Sequence, residues 1–186
     1  MPIKNTGSLT IKEDTLNEKK QPVFKVRSLC ITAVTAALIC ILTMIPRVPI
    51  PLGYAHLGDA AIFLIALYVG RREGAIAASI GSAMADLLGG FPIWILATLV
   101  IKYIMVEIIW LTADESHRLF KFRTFLGLFL SAIWMVISYT LAGALLYGGL
   151  PAGLTMVPGL IAEGLVNLAA AYAAGLVLER SGFFKR

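Results

Sequence analysis

The chain has 186 residues, 59% of them hydrophobic and 15% charged, with 16 Lys and Arg against 11 Asp and Glu and a formal net charge of +5. Soluble domains carry about a quarter of their residues charged, so this composition excludes an ordinary soluble enzyme or binding module and points to one membrane domain. The positive balance does not signal nucleic acid, because the basic residues fall in short clusters between apolar runs, as membrane topology requires.

Residues 1–24 are polar, mixed in charge and without apolar periodicity, and they predict a mobile cytoplasmic tail. No cleaved signal peptide is expected, since the first apolar run starts late and is span-length. That run, about 28–45, is stopped by Pro46, Pro49 and Pro51. Within it Thr32, Ala33, Ala36 and Ala37 make one smooth face suited to close approach by another helix. Cys30 and Cys40 lie about 15 Å apart along the same helix, too far to bridge, and read as packing residues.

Tyr54 and His56 follow in the loop, polar aromatics near the membrane surface, where an aromatic belt is the alternative role. The second span, about 57–70, is short. Arg71, Arg72 and Glu73 break the chain before the third span, about 73–88, in which Gly74, Ala78, Ser82 and Asp86 recur at steps of four. Asp86 is ionisable inside an apolar run, which costs several kcal/mol unless it meets a partner, water or a ligand; capping the following turn is its other possible role.

After Gly89, Gly90, Phe91 and Pro92, the fourth span, about 91–111, sets Trp94, Thr98 and Lys102 on one face: a stacking ring, a hydroxyl and an ammonium. Glu107, deeper, reads as a structural pair or a snorkelling group. Residues 112–123, TADESHRLFKFR, form the long polar break; its basic residues mark it as cytoplasmic and His117 reads as solvated. The fifth span, about 124–147, holds Trp134, Ser138 and Tyr139. The sixth, about 154–178, places Gly159, Glu163, Asn167 and Ala171 at steps of four, and residues 183–186 form a basic cytoplasmic end.

The expected fold is therefore an all-α integral membrane protein with a tail at 1–24 and a six-helix membrane domain at 25–182, both termini cytoplasmic. This topology leaves only Arg47 outside, as the positive-inside bias demands. Helix rise sets Lys102 about 16 Å below Phe91, and Glu163 and Asn167 about 12 and 18 Å below Thr155. Tyr139 falls in the same outer half. Together they form a candidate pocket for a small aromatic, hydrogen-bonding molecule, with a Lys102–Glu163 structural pair as the competing reading.

Leu57-Gly58-Asp59-Ala60, then Gly81-Ser82-Ala83-Met84-Ala85-Asp86-Leu87-Leu88-Gly89-Gly90, then Leu99-Val100-Ile101-Lys102 carry a resemblance to a known family. Over roughly residues 28–180 the chain resembles the substrate-binding S component of energy-coupling factor (ECF) vitamin transporters, in the branch associated with riboflavin, hydroxymethylpyrimidine and pyridoxine. The resemblance implies a multi-pass protein of the bacterial cytoplasmic membrane, an outward-facing vitamin pocket, and a T subunit that docks on Ala33 and Ala37. A small-residue motif of that kind also serves internal packing in many membrane helices.

The resemblance further implies two separate ATPase subunits. The chain itself lacks G-x-x-x-x-G-K-[ST], so ATP is used by partners and no cofactor is expected here. H-E-x-x-H and G-x-S-x-G are absent too, which argues against a membrane enzyme. The functional expectation is capture of a small vitamin or precursor, a B6 vitamer or hydroxymethylpyrimidine in preference to riboflavin, with a self-sufficient ion-coupled secondary transporter as the alternative. The substrate-binding set is Tyr54, His56, Asp86, Trp94, Thr98, Lys102, Tyr139, Glu163 and Asn167.

Overall fold

A computed structural model describes residues 26–114 and 118–181; the expectations for the tail, for His117 and for residues 183–186 lie outside it. Helix α1 (Val26–Met44) leads into two short strands, β1 (Arg47–Ile50) and β2 (Gly53–His56). Helices α2 (Gly58–Tyr68) and α3 (Arg71–Gly89) follow, then a single 3-10 turn (Pro92–Trp94) that runs into α4 (Ile95–Thr112). Helix α5 (Phe122–Leu146), the short α6 (Leu150–Leu154) and α7 (Val157–Arg180) complete the described chain.

The protein is a helical bundle turned apolar side out. Large apolar residues such as Val34, Leu96, Leu111, Leu145 and Val177 are mostly exposed, whereas Asp59, Lys102, Ser131 and Asn167 are buried. That inversion is the one a lipid solvent imposes, since no water outside the bundle competes for polar groups. Among the described residues, four segments are long and apolar enough to cross a membrane: Val26–Met44, Pro92–Thr112, Phe122–Leu146 and Leu150–Arg180.

The two remaining helices fall outside that set. Helix α2 has 11 residues, about 16 Å of rise against a hydrocarbon core of about 30 Å. Helix α3 has 19 residues and sufficient length, but it starts on Arg71, Arg72 and Glu73, which lie inside the helix and not in a break before it. Glu73 accepts a hydrogen bond from the Ser28 hydroxyl at 2.7 Å. Arg71 donates from Nε to Glu107 on α4 at 2.8 Å, which makes Glu107 half of a structural pair.

The loop at 46–56 adds one small element to the helical fold: it is an antiparallel hairpin with Arg47 opposite His56 and Ile50 opposite Gly53. Prolines bar this stretch from helix, Val48, Ile50 and Tyr54 suit an extended chain, and an edge position tolerates Pro49. The turn holds Leu52 at φ 63°, a conformation rare for a side chain of this size, and the Leu52 carbonyl accepts the Trp94 indole N–H at 3.2 Å.

Packing follows the small residues. Helix α1 lies on α3, α3 on α4, α4 on α5 and α5 on α7, while α2 bridges α1 and α7. Helices α1 and α3 cross closely at Gly81, where a methyl group would strike the Ala36 carbonyl. Ala36 thus faces α3, whereas Ala33 and Ala37 are exposed on a neighbouring face of α1. Helix α3 ends at Gly90 in the left-handed conformation (φ 84°), with Phe91 N–H bonded to the Asp86 carbonyl at 2.8 Å, the usual glycine stop.

Candidate functional site

A recess opens at the end of the bundle that carries the hairpin, the α3–α4 turn and α6. Its lining is Ile50, Gly53, Tyr54, His56, Asp86, Phe91, Trp94, Tyr139, Met156, Leu160 and Glu163, and it encloses about 400 Å³ counted out to its mouth. Each element contributes for a local reason. Tyr54 and His56 alternate on β2 and so share a face. Trp94 closes the 3-10 turn. Met156 is delivered by α6, whose Gly153 lets it fold tightly against Thr140 and Ala144 of α5.

Aromatic rings form the walls. Tyr54 packs against Phe91 with centroids 5.0 Å apart, and Trp94 lies 5.7 Å from Tyr139 and 5.9 Å from Tyr147. Arg47 lies over the Tyr54 ring at 4.2 Å and donates to the Gly89 carbonyl at 3.3 Å, which ties the hairpin to the α3–α4 turn.

Two carboxylates reach the recess. Asp86 accepts from the Tyr54 hydroxyl at 2.9 Å and from Thr98 at 2.5 Å, and Tyr139 donates in turn to Thr98 at 3.0 Å. Asp86 therefore cross-links the hairpin, α3 and α4 while still facing the cavity. Glu163 meets His56 Nδ1 at 3.2 Å. The Gly58 N–H donates to that same nitrogen at 3.2 Å, so the imidazole presents a lone pair there. The Glu163–His56 contact is then a hydrogen bond only when a proton sits between the two. Burial holds His56 neutral, with its pKa lowered to about 4; Asp59 opposes that shift and Lys102 reinforces it.

Six of the nine expected residues line the recess: Tyr54, His56, Asp86, Trp94, Tyr139 and Glu163. The other three stand behind it. Thr98 relays between Tyr139 and Asp86. Asn167 is fully committed, accepting from Ala60 N–H at 2.8 Å and donating to the carbonyls of His56 at 2.7 Å and Glu163 at 2.9 Å. It latches α2 and the hairpin onto α7.

Lys102 does not pair with Glu163. Its ammonium lies 2.5 Å from Asp59 of α2, with side chains 1% and 0% exposed, and 5.1 Å from the Tyr139 ring centroid. An ion pair closed off from solvent in this way is how a bundle tolerates both charges. Asp59 stands inside the Leu-Gly-Asp-Ala motif, yet spacing along the chain could not join it to a residue 43 positions away. The apolar lining from Ile50, Phe91, Met156 and Leu160 had no sequence signal apart from general hydrophobicity. Among the described residues no three His, Cys, Asp or Glu side chains converge on a metal-binding geometry.

Comparison with known proteins bears directly on this arrangement. Residues 23–180 match the family model described as ECF-type riboflavin transporter, S component. The chain is also 38% identical over 113 residues to a protein of Pyrococcus woesei described as an uncharacterised protein in a gap 3' region, an alignment spanning 59% of this chain and 74% of that one. The apolar exterior, the buried polar network and a match over nearly the whole hydrophobic chain agree: this protein belongs to the S-component family of ECF-type vitamin transporters, multi-pass proteins of the cell membrane that bind substrate and are not enzymes.

Proposed function

We propose that this chain captures a single-ring heteroaromatic vitamin or precursor, a B6 vitamer or hydroxymethylpyrimidine in preference to riboflavin, and delivers it to a T subunit driven by two ATPase subunits. The observation that carries the reading is the charge balance of the recess. Lys102 is neutralised by Asp59 behind it, so the polar groups facing the cavity are the Glu163 and Asp86 carboxylates, two phenols and a neutral imidazole. Such a lining rewards a ligand rich in N–H and O–H donors or carrying a protonated ring nitrogen. Trp94 and Tyr139 supply the stacking surfaces.

Size supports the same choice. The closed part of the recess is only about 40 Å³, well below the usual range for ligand sites, so its walls must give way for any ligand, and one substituted ring demands less of that than a three-ring system with a sugar-alcohol chain. Orientation follows from charge: Arg71, Arg72, Arg118, Lys121, Arg123 and Arg180 lie at the end away from the recess, so the positive-inside bias turns the recess outward.

The test is a fluorescence titration of the purified chain with pyridoxine, hydroxymethylpyrimidine, thiamine and riboflavin. Trp94 lines the recess, while the Trp134 indole is bonded to the Ile101 carbonyl outside it. Saturable quenching by one of the first two compounds, abolished in Trp94→Phe, is the expected result. Quenching by riboflavin alone would overturn the choice of cargo, and no response from folded protein to any compound would overturn the pocket.

A further inference from the structure

At the opposite end of the bundle, residues 118–123 (RLFKFR) carry a feature that vitamin capture does not use. Phe120 is 58% exposed and Phe122 77%, and Arg118, Lys121 and Arg123 between and beside them are exposed as well. None of the three basic residues has an ion-pair partner among the described residues, and the first turn of α5 carries no acid.

The strip is nevertheless held firmly. Leu119 is fully buried, its side chain seated where only a glycine, Gly175, leaves room. Its N–H donates to Glu179 at 2.9 Å and its carbonyl accepts from the Tyr172 hydroxyl at 3.1 Å. Beside it a groove of about 530 Å³, counted to its open side, is lined by Phe120, Lys121, Phe122, Phe125 and Tyr172. Phe120 and Phe125 pack on Tyr172 at 5.7 and 6.3 Å.

Rigidly presented aromatics interleaved with uncompensated cations fit neither water nor hydrocarbon. Water penalises the exposed phenyl rings, and the bilayer core penalises the charges. Only the headgroup layer satisfies both, with the rings against the upper acyl chain and the ammonium and guanidinium groups at the phosphate. We propose that this groove binds an anionic phospholipid, with Lys121, Arg118 and Arg123 holding the headgroup and the Phe120–Phe122–Phe125–Tyr172 wall holding its chain. A zwitterionic lipid presents a competing cation, so the preference is for net negative charge.

The full chain is reconstituted into phosphatidylcholine bilayers, and the association of spin-labelled phosphatidylglycerol is compared with that of spin-labelled phosphatidylcholine. A basic residue near an anionic surface is worth about fivefold in affinity, and salt screening lowers the sum, so the expected preference for phosphatidylglycerol is about tenfold. It falls to near unity in R118Q/K121Q/R123Q, survives R180Q, and is accompanied by weaker binding of both lipids in F120S/F122S. These positions are exposed, and unchanged vitamin binding certifies the fold.

Equal association of the two lipids with wild type overturns the proposal, as does a preference that the triple variant retains. A loss in R180Q equal to that in the triple variant reduces the effect to diffuse charge. Displacement of the labelled lipid by millimolar inorganic phosphate makes the patch a free-anion site. An unchanged lipid ratio with lost co-purification of ATPase subunits assigns it to a protein partner.

Discussion

At the residue scale, the buried charges divide into those that hold the bundle and those left to meet a ligand. Glu107 and Glu163 both lie in apolar helices, but Glu107 is spent on Arg71 while Glu163 faces the recess. Losing one partner of a buried hydrogen bond costs about 1–3 kcal/mol, so Glu163→Gln is expected to weaken vitamin binding by about tenfold. Glu107→Gln should leave binding unchanged, and equal losses in calorimetric titrations would move the pocket elsewhere. Lys102 behaves differently because its partner is fully buried. Lys102→Met leaves Asp59 uncompensated and is expected to destabilise the protein by about 3 kcal/mol or more, visible as a lowered unfolding temperature in detergent. The Asp59→Asn/Lys102→Met pair should recover most of that loss, whereas an additive loss would contradict the pairing.

At the element scale, the hairpin is the hinge between fold and site. It covers the recess with Tyr54 and His56 and is fastened at Trp94, Gly89 and Asn167. Because the folded protein holds His56 near pKa 4 against about 6.5 in an unfolded chain, the unfolded state binds the extra proton between those values. Stability therefore falls as pH drops from about 6.5 toward 4, by about 2 kcal/mol at pH 5 for this group. Unfolding midpoints measured from pH 7 to 5 should decline more steeply in wild type than in His56→Gln; parallel slopes would show that the imidazole is not held neutral. None of this hairpin was legible as strand, since three prolines and a two-residue turn carry no alternating pattern long enough to read. Helix α2, by contrast, was legible both as apolar and as short, and its 11 residues are fewer still than the expected 57–70.

At the scale of the whole molecule, the recess lies at one end, the basic strip at the other, and the exposed Ala33/Ala37 face of α1 between them. In the proposed assembly that face meets the T subunit. Leu at both positions should leave vitamin binding within about twofold and abolish ATP-dependent uptake in reconstituted vesicles. Lost binding in a folded variant would make the face internal packing. Uptake by the chain alone, driven by an ion gradient without ATPase subunits, would instead favour a secondary transporter.

The membrane class, the helix order and the choice of Asp86, Trp94 and Glu163 as candidates came from the sequence itself. An apolar run of span length and an ionisable group within it are local facts whose physical cost does not depend on what lies across the bundle. Local spacing also supplied Ala33 and Ala37 as neighbours on one helix face. Which groups meet across helices was decided only by tertiary structure. Depth along a helix put Lys102 level with Glu163, but helix rotation and the short α2 gave the ammonium to Asp59 instead. Likewise Asn167, one turn from Glu163, was drawn into three backbone bonds because α2 and the hairpin both end beside it. A side chain's partner depends on the rotation and crossing of two helices, and no periodicity within one of them encodes that.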